Sequence, residues 1–127
     1  LGNTLNFSTV VGVHFDTVSP GRYVLFADSN GNNFYTDGEQ FGVVGLLDPR
    51  FEISEISVNG ADVDQLSVTF ERPNFDGRFK IAAGATLVKQ GIVQIKVKPI
   101  GVATDECPED VRIVEITATG QVSVLKC

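Results

Sequence analysis

The sequence has no methionine, only one histidine and only two cysteines among its 127 residues. Because no methionine begins the chain, we expect it to be a trimmed or processed product. One histidine without a Cys-x-x-Cys pair leaves too few ligands for a structural zinc ion. The chain also has no nucleophile elbow and no phosphate-binding glycine loop, and His14 lies alone in an apolar segment. We therefore expect a protein that is not an enzyme.

Long apolar runs and positive charge are also scarce. No stretch approaches the roughly 18 apolar residues of a membrane-spanning helix, and no signal-peptide pattern is present. Ten Lys and Arg against 16 Asp and Glu give a formal net charge of −6. This charge argues against a surface that binds nucleic acid or anionic lipid. The length predicts one globular domain over residues 1–127, with 1–8 as a loose lead-in.

The apolar pattern indicates strands throughout the chain. No segment keeps a helical period over ten residues, whereas alternation of apolar and polar residues recurs. The apolar phase slips between Ile53 and Ile56, which predicts a bulge, and Asn59-Gly60 predicts a tight turn. We predict an all-β domain of about eight or nine mostly antiparallel strands. The main candidates are residues 9–15, 22–27, 40–47, 51–58, 66–70, 78–83, 93–98, 111–117 and 121–125.

The most distinctive polar stretch is residues 28–39, which we call the polar loop. Its oxygen-bearing side chains follow the spacing of a calcium-binding EF-hand loop. Position six is Asn33 instead of glycine, and the flanks are strands, so a site here would not be a true EF-hand. Only two ligand positions carry carboxylates, with Asp37 as a third nearby, so we expect modest affinity. The same residue types also form metal-free Asx turns, and both interpretations stay open. The predicted calcium ligands are Asp28, Asn30, Asn32, Phe34, Thr36 and Glu39.

The two cysteines, Cys107 and Cys127, both lie near the end of the sequence. In an oxidising compartment they would pair and close a loop of roughly 20 residues, worth about 3 kcal/mol. In a reducing compartment they would remain two thiols. A disulfide between Cys107 and Cys127 is the favoured prediction, because a staple stabilises a terminal strand.

Four segments, in their order along the chain, resemble those of a known protein family. They are VGVHFD (residues 11–16), YVLFADSNGN followed by YTDGE (residues 23–39), LSVTF followed by Pro73, and VEITATGQVSV around the turn at Thr119-Gly120. Together they resemble the globular part of prepilin-type proteins, and most of all the H-type (FimT-like) minor pilins and pseudopilins. The similarity covers most of the chain from Val11 onward. The cleavage motif and the long apolar helix that begin such proteins are not in this sequence.

The resemblance implies an all-β fold of two packed sheets and a structural role. It implies a subunit of a type IV pilus, DNA-uptake or type II secretion filament, whose N-terminal helix anchors it in the inner membrane before assembly. Its partners would be other pilin subunits, with secreted protein or DNA as cargo, at the cell surface, in the periplasm or in an extracellular filament. The alternative is a free-standing secreted β-sandwich that binds calcium and serves in adhesion or a matrix.

Overall fold

The computed structural model describes residues 10–29, 31–40, 45–71, 76–102 and 111–126. The predicted lead-in (residues 1–8), the calcium candidate Asn30 and both cysteines, Cys107 and Cys127, lie outside these ranges. The strands within them are β1 (Val11–Asp16), β2 (Arg22–Ala27), β3 (Gly45–Leu46), β4 (Phe51–Val58), β5 (Ala61–Val63), β6 (Gln65–Glu71), β7 (Asp76–Lys80), β8 (Ile92–Pro99), β9 (Arg112–Thr117) and β10 (Val122–Lys126).

The strands form two five-stranded sheets that pack face to face. Sheet 1 has the order β3-β2-β1-β6-β7, and sheet 2 has the order β10-β9-β8-β4-β5. Every pairing is antiparallel. No helix occurs among the residues that the structure describes. The prediction of an all-β fold with two packed antiparallel sheets is therefore confirmed.

Two local predictions about β4 are also confirmed. The register between β4 and β8 shifts between Ile53 and Glu55, where the apolar phase of the sequence slips. Asn59 and Gly60 have φ angles of 51° and 86°, the left-handed pair that a two-residue hairpin turn requires. The turn leads directly into β5, which pairs back onto β4.

The predicted strand limits are wrong in three places. The described part of the chain has ten strands, because the short, polar β5 has no apolar alternation to indicate it. The candidate over residues 40–47 ends at Leu46; of its described residues, Gln40 forms a bridge and Gly45–Leu46 form β3, and residues 41–44 lie outside the described ranges. The candidate over 78–83 ends at Lys80, because the chain turns there and returns to pair Val88 with Phe79.

The core lies between the sheets and consists of alternate side chains from both. Leu66, Val68 and Phe79 from sheet 1 are completely buried, as is Val93 from sheet 2. Burying a large aliphatic or aromatic side chain contributes about 1.5–3 kcal/mol. The face of each sheet that points to the other sheet is called the inner face below, and the opposite face is called the outer face.

Candidate functional site

The polar loop leaves β2 and returns along the edge of the same strand. The Ala27 amide donates to the Glu39 carbonyl at 3.1 Å, and Phe26 forms an antiparallel bridge with Gln40. The two ends of the loop are therefore held side by side. This pairing also occupies the part of the β2 edge that the short β3 leaves open.

The carboxylate of Asp28 organises the first half of the polar loop. Its two oxygens accept hydrogen bonds from the amides of Asn32 at 3.2 Å and Asn33 at 2.8 Å. Asn33 has a φ of 59°, a left-handed conformation that asparagine adopts more readily than most residues. Asp28 is buried, so these main-chain groups replace the water that an exposed carboxylate would bind.

The carboxylate of Glu39 joins the two halves of the loop. One oxygen accepts the Thr36 amide at 2.8 Å, and the other accepts both the amide and the hydroxyl of Ser29, at 3.0 and 3.3 Å. Glu39 is only 4% exposed although Ser29 and Thr36 are exposed. Hydrogen bonds to an ionised acceptor are the stronger kind, so Glu39 is the main tie across the loop.

Five of the six predicted calcium ligands lie in the described part of the loop. The side-chain oxygens of Asp28, Asn32 and Glu39 all accept main-chain N–H groups, Asn32 from Phe34 at 3.0 Å. Within the described ranges, no three acidic, histidine or cysteine side chains come together. The loop is thus ordered by its own amides, and calcium would have to share these oxygens with them. A calcium site here stays a prediction.

The loop folds over the outer face of sheet 1 and buries polar side chains there. The Ser67 hydroxyl accepts the Tyr35 amide at 3.0 Å and lies 2.7 Å from Nδ1 of His14. The Asn33 side-chain amide donates to the Thr69 hydroxyl at 3.0 Å. Ser67 and Thr69 are completely buried, although their alternation with apolar residues is typical of a solvent-facing row.

Aromatic rings fill the space between the loop and the sheet. The His14 ring lies 5.3 Å from the rings of both Phe34 and Tyr35, and Phe26 lies 5.6 Å from Tyr35. Gly12 makes room for them, since a Cβ there would lie 2.8 Å from the Phe26 ring and 2.6 Å from a main-chain oxygen of β6. The polar loop is therefore a third layer with a small core of its own.

The contacts of His14 do not form an accessible nucleophile. Burial lowers the pKa of His14; Asp16, 3.7 Å from Nε2, opposes this shift, and Arg22 adds to it. Ser67, His14 and Asp16 thus resemble the residue types of a hydrolytic triad. The Ser67 hydroxyl, however, is completely buried under the loop that it holds. The geometry assigns Ser67 and His14 to positioning the loop.

An apolar groove opens on the other side of sheet 1, between the two sheets. It has a volume of about 270 Å³ and an apolar lining. Leu25, which contributes to it, is 38% exposed. The lining residues come from both sheets and are Val13, Phe15, Tyr23, Leu25, Leu47, Ile53, Ile95, Val97 and Val114.

The apolar surface of the groove continues onto β10. Val124 pairs with Val114, which lines the groove, and Val122 pairs with the core residue Ile116. Residues directly opposite in an antiparallel pair share a face, so both β10 valines lie on the inner face. Val122 is 56% exposed and Val124 is 64% exposed. We call the groove together with these two valines, which lie beside its sheet 2 wall on the inner face, the apolar face.

The class of protein that these features define is a β-sandwich with a covered outer face and an open apolar groove. No protein-family model, curated protein or solved structure matches the chain. Within the described ranges, no helix is long and apolar enough to cross a membrane.

Proposed function

We propose that this β-sandwich is the globular domain of a minor pilin or pseudopilin, a structural subunit of a type IV pilus, DNA-uptake or type II secretion filament. The observation that carries the proposal is the apolar face. Apolar side chains left open between two sheets favour a covering partner, because exposed apolar surface on a soluble domain can mark an interaction site. An apolar helix is the partner that the resemblance implies.

The position of β1 supports this occupant. Val13 and Phe15 of β1 line the groove, and β1 is the first strand in the described part of the chain. A helix that precedes β1 in the full-length subunit would therefore be joined to a strand that lines the groove. One side of that helix would cover Leu25, Val122 and Val124, and the remainder would extend into the membrane or the filament core.

The polar loop and the apolar face would then have separate roles. They lie on opposite faces of sheet 1, so a helix in the groove leaves the loop accessible to neighbouring subunits or to secreted cargo. Calcium bound in the loop would stabilise this surface and would not take part in a reaction. In this proposal the subunit resides in the inner membrane before assembly and afterwards faces the periplasm or the cell exterior.

A pair of substitutions on β10 tests the proposed occupant. Val124→Glu places a charge on the inner face, whereas Ser123→Glu places the same charge on the outer face of the same strand. Because Val124 is 64% exposed, the isolated domain should keep its stability within about 0.5 kcal/mol in Val124→Glu. Ser123→Glu faces Glu115 across the strand pair and should cost somewhat more, so the control is the less stable of the two variants.

In the full-length subunit, Val124→Glu should prevent incorporation into filaments, measured as the fraction sheared from cells, and Ser123→Glu should not. Equal incorporation of both variants would show that the apolar face does not bind a helix.

The first roughly forty residues of the precursor provide a separate test. A prepilin cleavage motif followed by an apolar helix supports the proposal, and an ordinary secretory signal peptide supports the free-standing calcium-binding adhesion module instead.

A further inference from the structure

The turn between β4 and β5 contains an Asn-Gly pair, the dipeptide with the least steric protection against deamidation. In this reaction the Gly60 amide nitrogen attacks Cγ of Asn59 and loses its proton, and ammonia leaves. Water then opens the cyclic imide to aspartate or isoaspartate. Both residues are exposed, so water reaches the turn freely.

The Asn59 side chain is bound by the chain that enters β8. Its Oδ1 accepts the Ile92 amide at 2.9 Å, and its Nδ2 donates to the Gln90 carbonyl at 3.2 Å. The Asn59 main-chain amide also donates to the Ile92 carbonyl at 2.8 Å. The carboxamide is thus fixed at both ends by groups 31 and 33 residues away.

Gly91 is part of the same arrangement. It has a φ of +96°, and a Cβ at this position would overlap Oδ1 of Asn59. The glycine therefore allows the two segments to approach closely enough for both side-chain hydrogen bonds. We call Asn59 with Gln90, Gly91 and Ile92 the amide clamp.

We propose that Asn59 is a latent deamidation site whose reactivity is controlled by the amide clamp. To bring Cγ within reach of the Gly60 nitrogen, the carboxamide must rotate and give up both side-chain hydrogen bonds. Two net hydrogen bonds correspond to a slowing of roughly ten- to a hundredfold. The site therefore reacts mainly in chains whose β4–β5 turn has separated from β8, and only slowly in intact ones.

Reaction at this site cannot be reversed by reclosing the clamp. Conversion of the carboxamide to a carboxylate replaces the Nδ2 donor with an oxygen that faces the Gln90 carbonyl, so this contact becomes repulsive. Isoaspartate also lengthens the main chain within a two-residue turn. A chain that has opened once and reacted is thus marked by a turn that no longer closes onto β8.

The rate of deamidation tests the proposal directly. The folded wild-type chain and the same chain unfolded in urea are incubated in the same mildly alkaline buffer, and the peptide containing Asn59 is followed by mass spectrometry. We expect the folded chain to react at least roughly tenfold more slowly. Equal rates in the two states would overturn the proposal without any need for a variant.

A pair of glycine variants then assigns the protection to the clamp. Gly91→Ala displaces the Asn59 carboxamide and should raise the rate in the folded protein about tenfold or more. Gly84→Ala, at an exposed position with no atom within 4 Å of the added Cβ, should leave it unchanged. Circular dichroism establishes that both variants are folded. A folded Gly91→Ala protein with the wild-type rate would refute the role of the clamp.

Discussion

Replacing Glu39 by alanine should loosen the polar loop without disturbing the two sheets. The substitution removes an acceptor that is 4% exposed and that binds the Thr36 amide, the Ser29 amide and the Ser29 hydroxyl. The Glu39 main chain keeps its hydrogen bond to Ala27, so the loop should still return along β2. The substitution should therefore remove only the side-chain hydrogen bonds that join the two halves of the loop.

The size of the effect follows from these three contacts. A hydrogen bond to a charged group contributes about 1.5–3 kcal/mol, so the loss of all three contacts could cost at most roughly three times that value. Ser29 and Thr36 are exposed, so water can partly replace the carboxylate at each donor. We expect Glu39→Ala to lower the free energy of unfolding by about 2–4 kcal/mol.

Urea denaturation followed by fluorescence or circular dichroism measures this change. Asp62→Ala is the matched control, because it removes one exposed carboxylate from the edge strand β5 and should cost less than about 0.5 kcal/mol. A Glu39→Ala protein as stable as Asp62→Ala would refute the role given to the carboxylate.

Repeating the series with a chelator and with millimolar calcium tests for a metal site. If calcium stabilises the wild type and does not stabilise Glu39→Ala, the result would support a calcium site in the polar loop.

Three further changes have defined outcomes. Gly12→Ala should cost about 2–3 kcal/mol in thermal unfolding, since its Cβ would lie 2.6 Å from a Val68 main-chain oxygen. The lowered pKa of buried His14 means that the unfolded chain binds a proton first. Stability should thus fall as the pH drops below about 6.5, by at most about 1.4 kcal/mol per pH unit, and His14→Gln should reduce this slope in urea titrations. The Lys98 ammonium lies 2.7 Å from Glu52, with side chains 7% and 28% exposed, so Glu52→Ala should destabilise more than Lys98→Met in the same assay, because it leaves the more buried charge unpaired.

The sheets could be predicted from the sequence because their signals are local. Alternation of apolar and polar residues, the slip near Ile53 and the Asn59-Gly60 pair each depend on a few neighbouring residues. β5 is not among the predicted strands, because it has only three residues and no apolar alternation, although the Asn59-Gly60 turn before it was predicted. The order of strands within each sheet depends on contacts between distant segments and has no local signal.

The polar loop could be predicted from the sequence as a compact connection, but its packing on sheet 1 could not. The composition of the polar loop indicates a compact connection with oxygen-bearing side chains, and Asp28 and Glu39 do organise it. The alternation around Ser67 favoured a solvent-facing row, but the loop covers that row. Such burial follows from tertiary packing over 32 residues of sequence separation, which no periodic pattern in β6 can encode.

The central position of β1 in sheet 1 has a consequence for the time course of folding. β1 can pair early with β2, but an isolated hairpin is marginal in water. Its second partner is β6, and the contact between His14 and Ser67 joins residues that are 53 positions apart. The segments of β4 and β5 lie between these two partners in the sequence. Such distant pairings form slowly, and until then the apolar edge of β1 is open to other chains. We therefore expect fragments that end before β6 to aggregate.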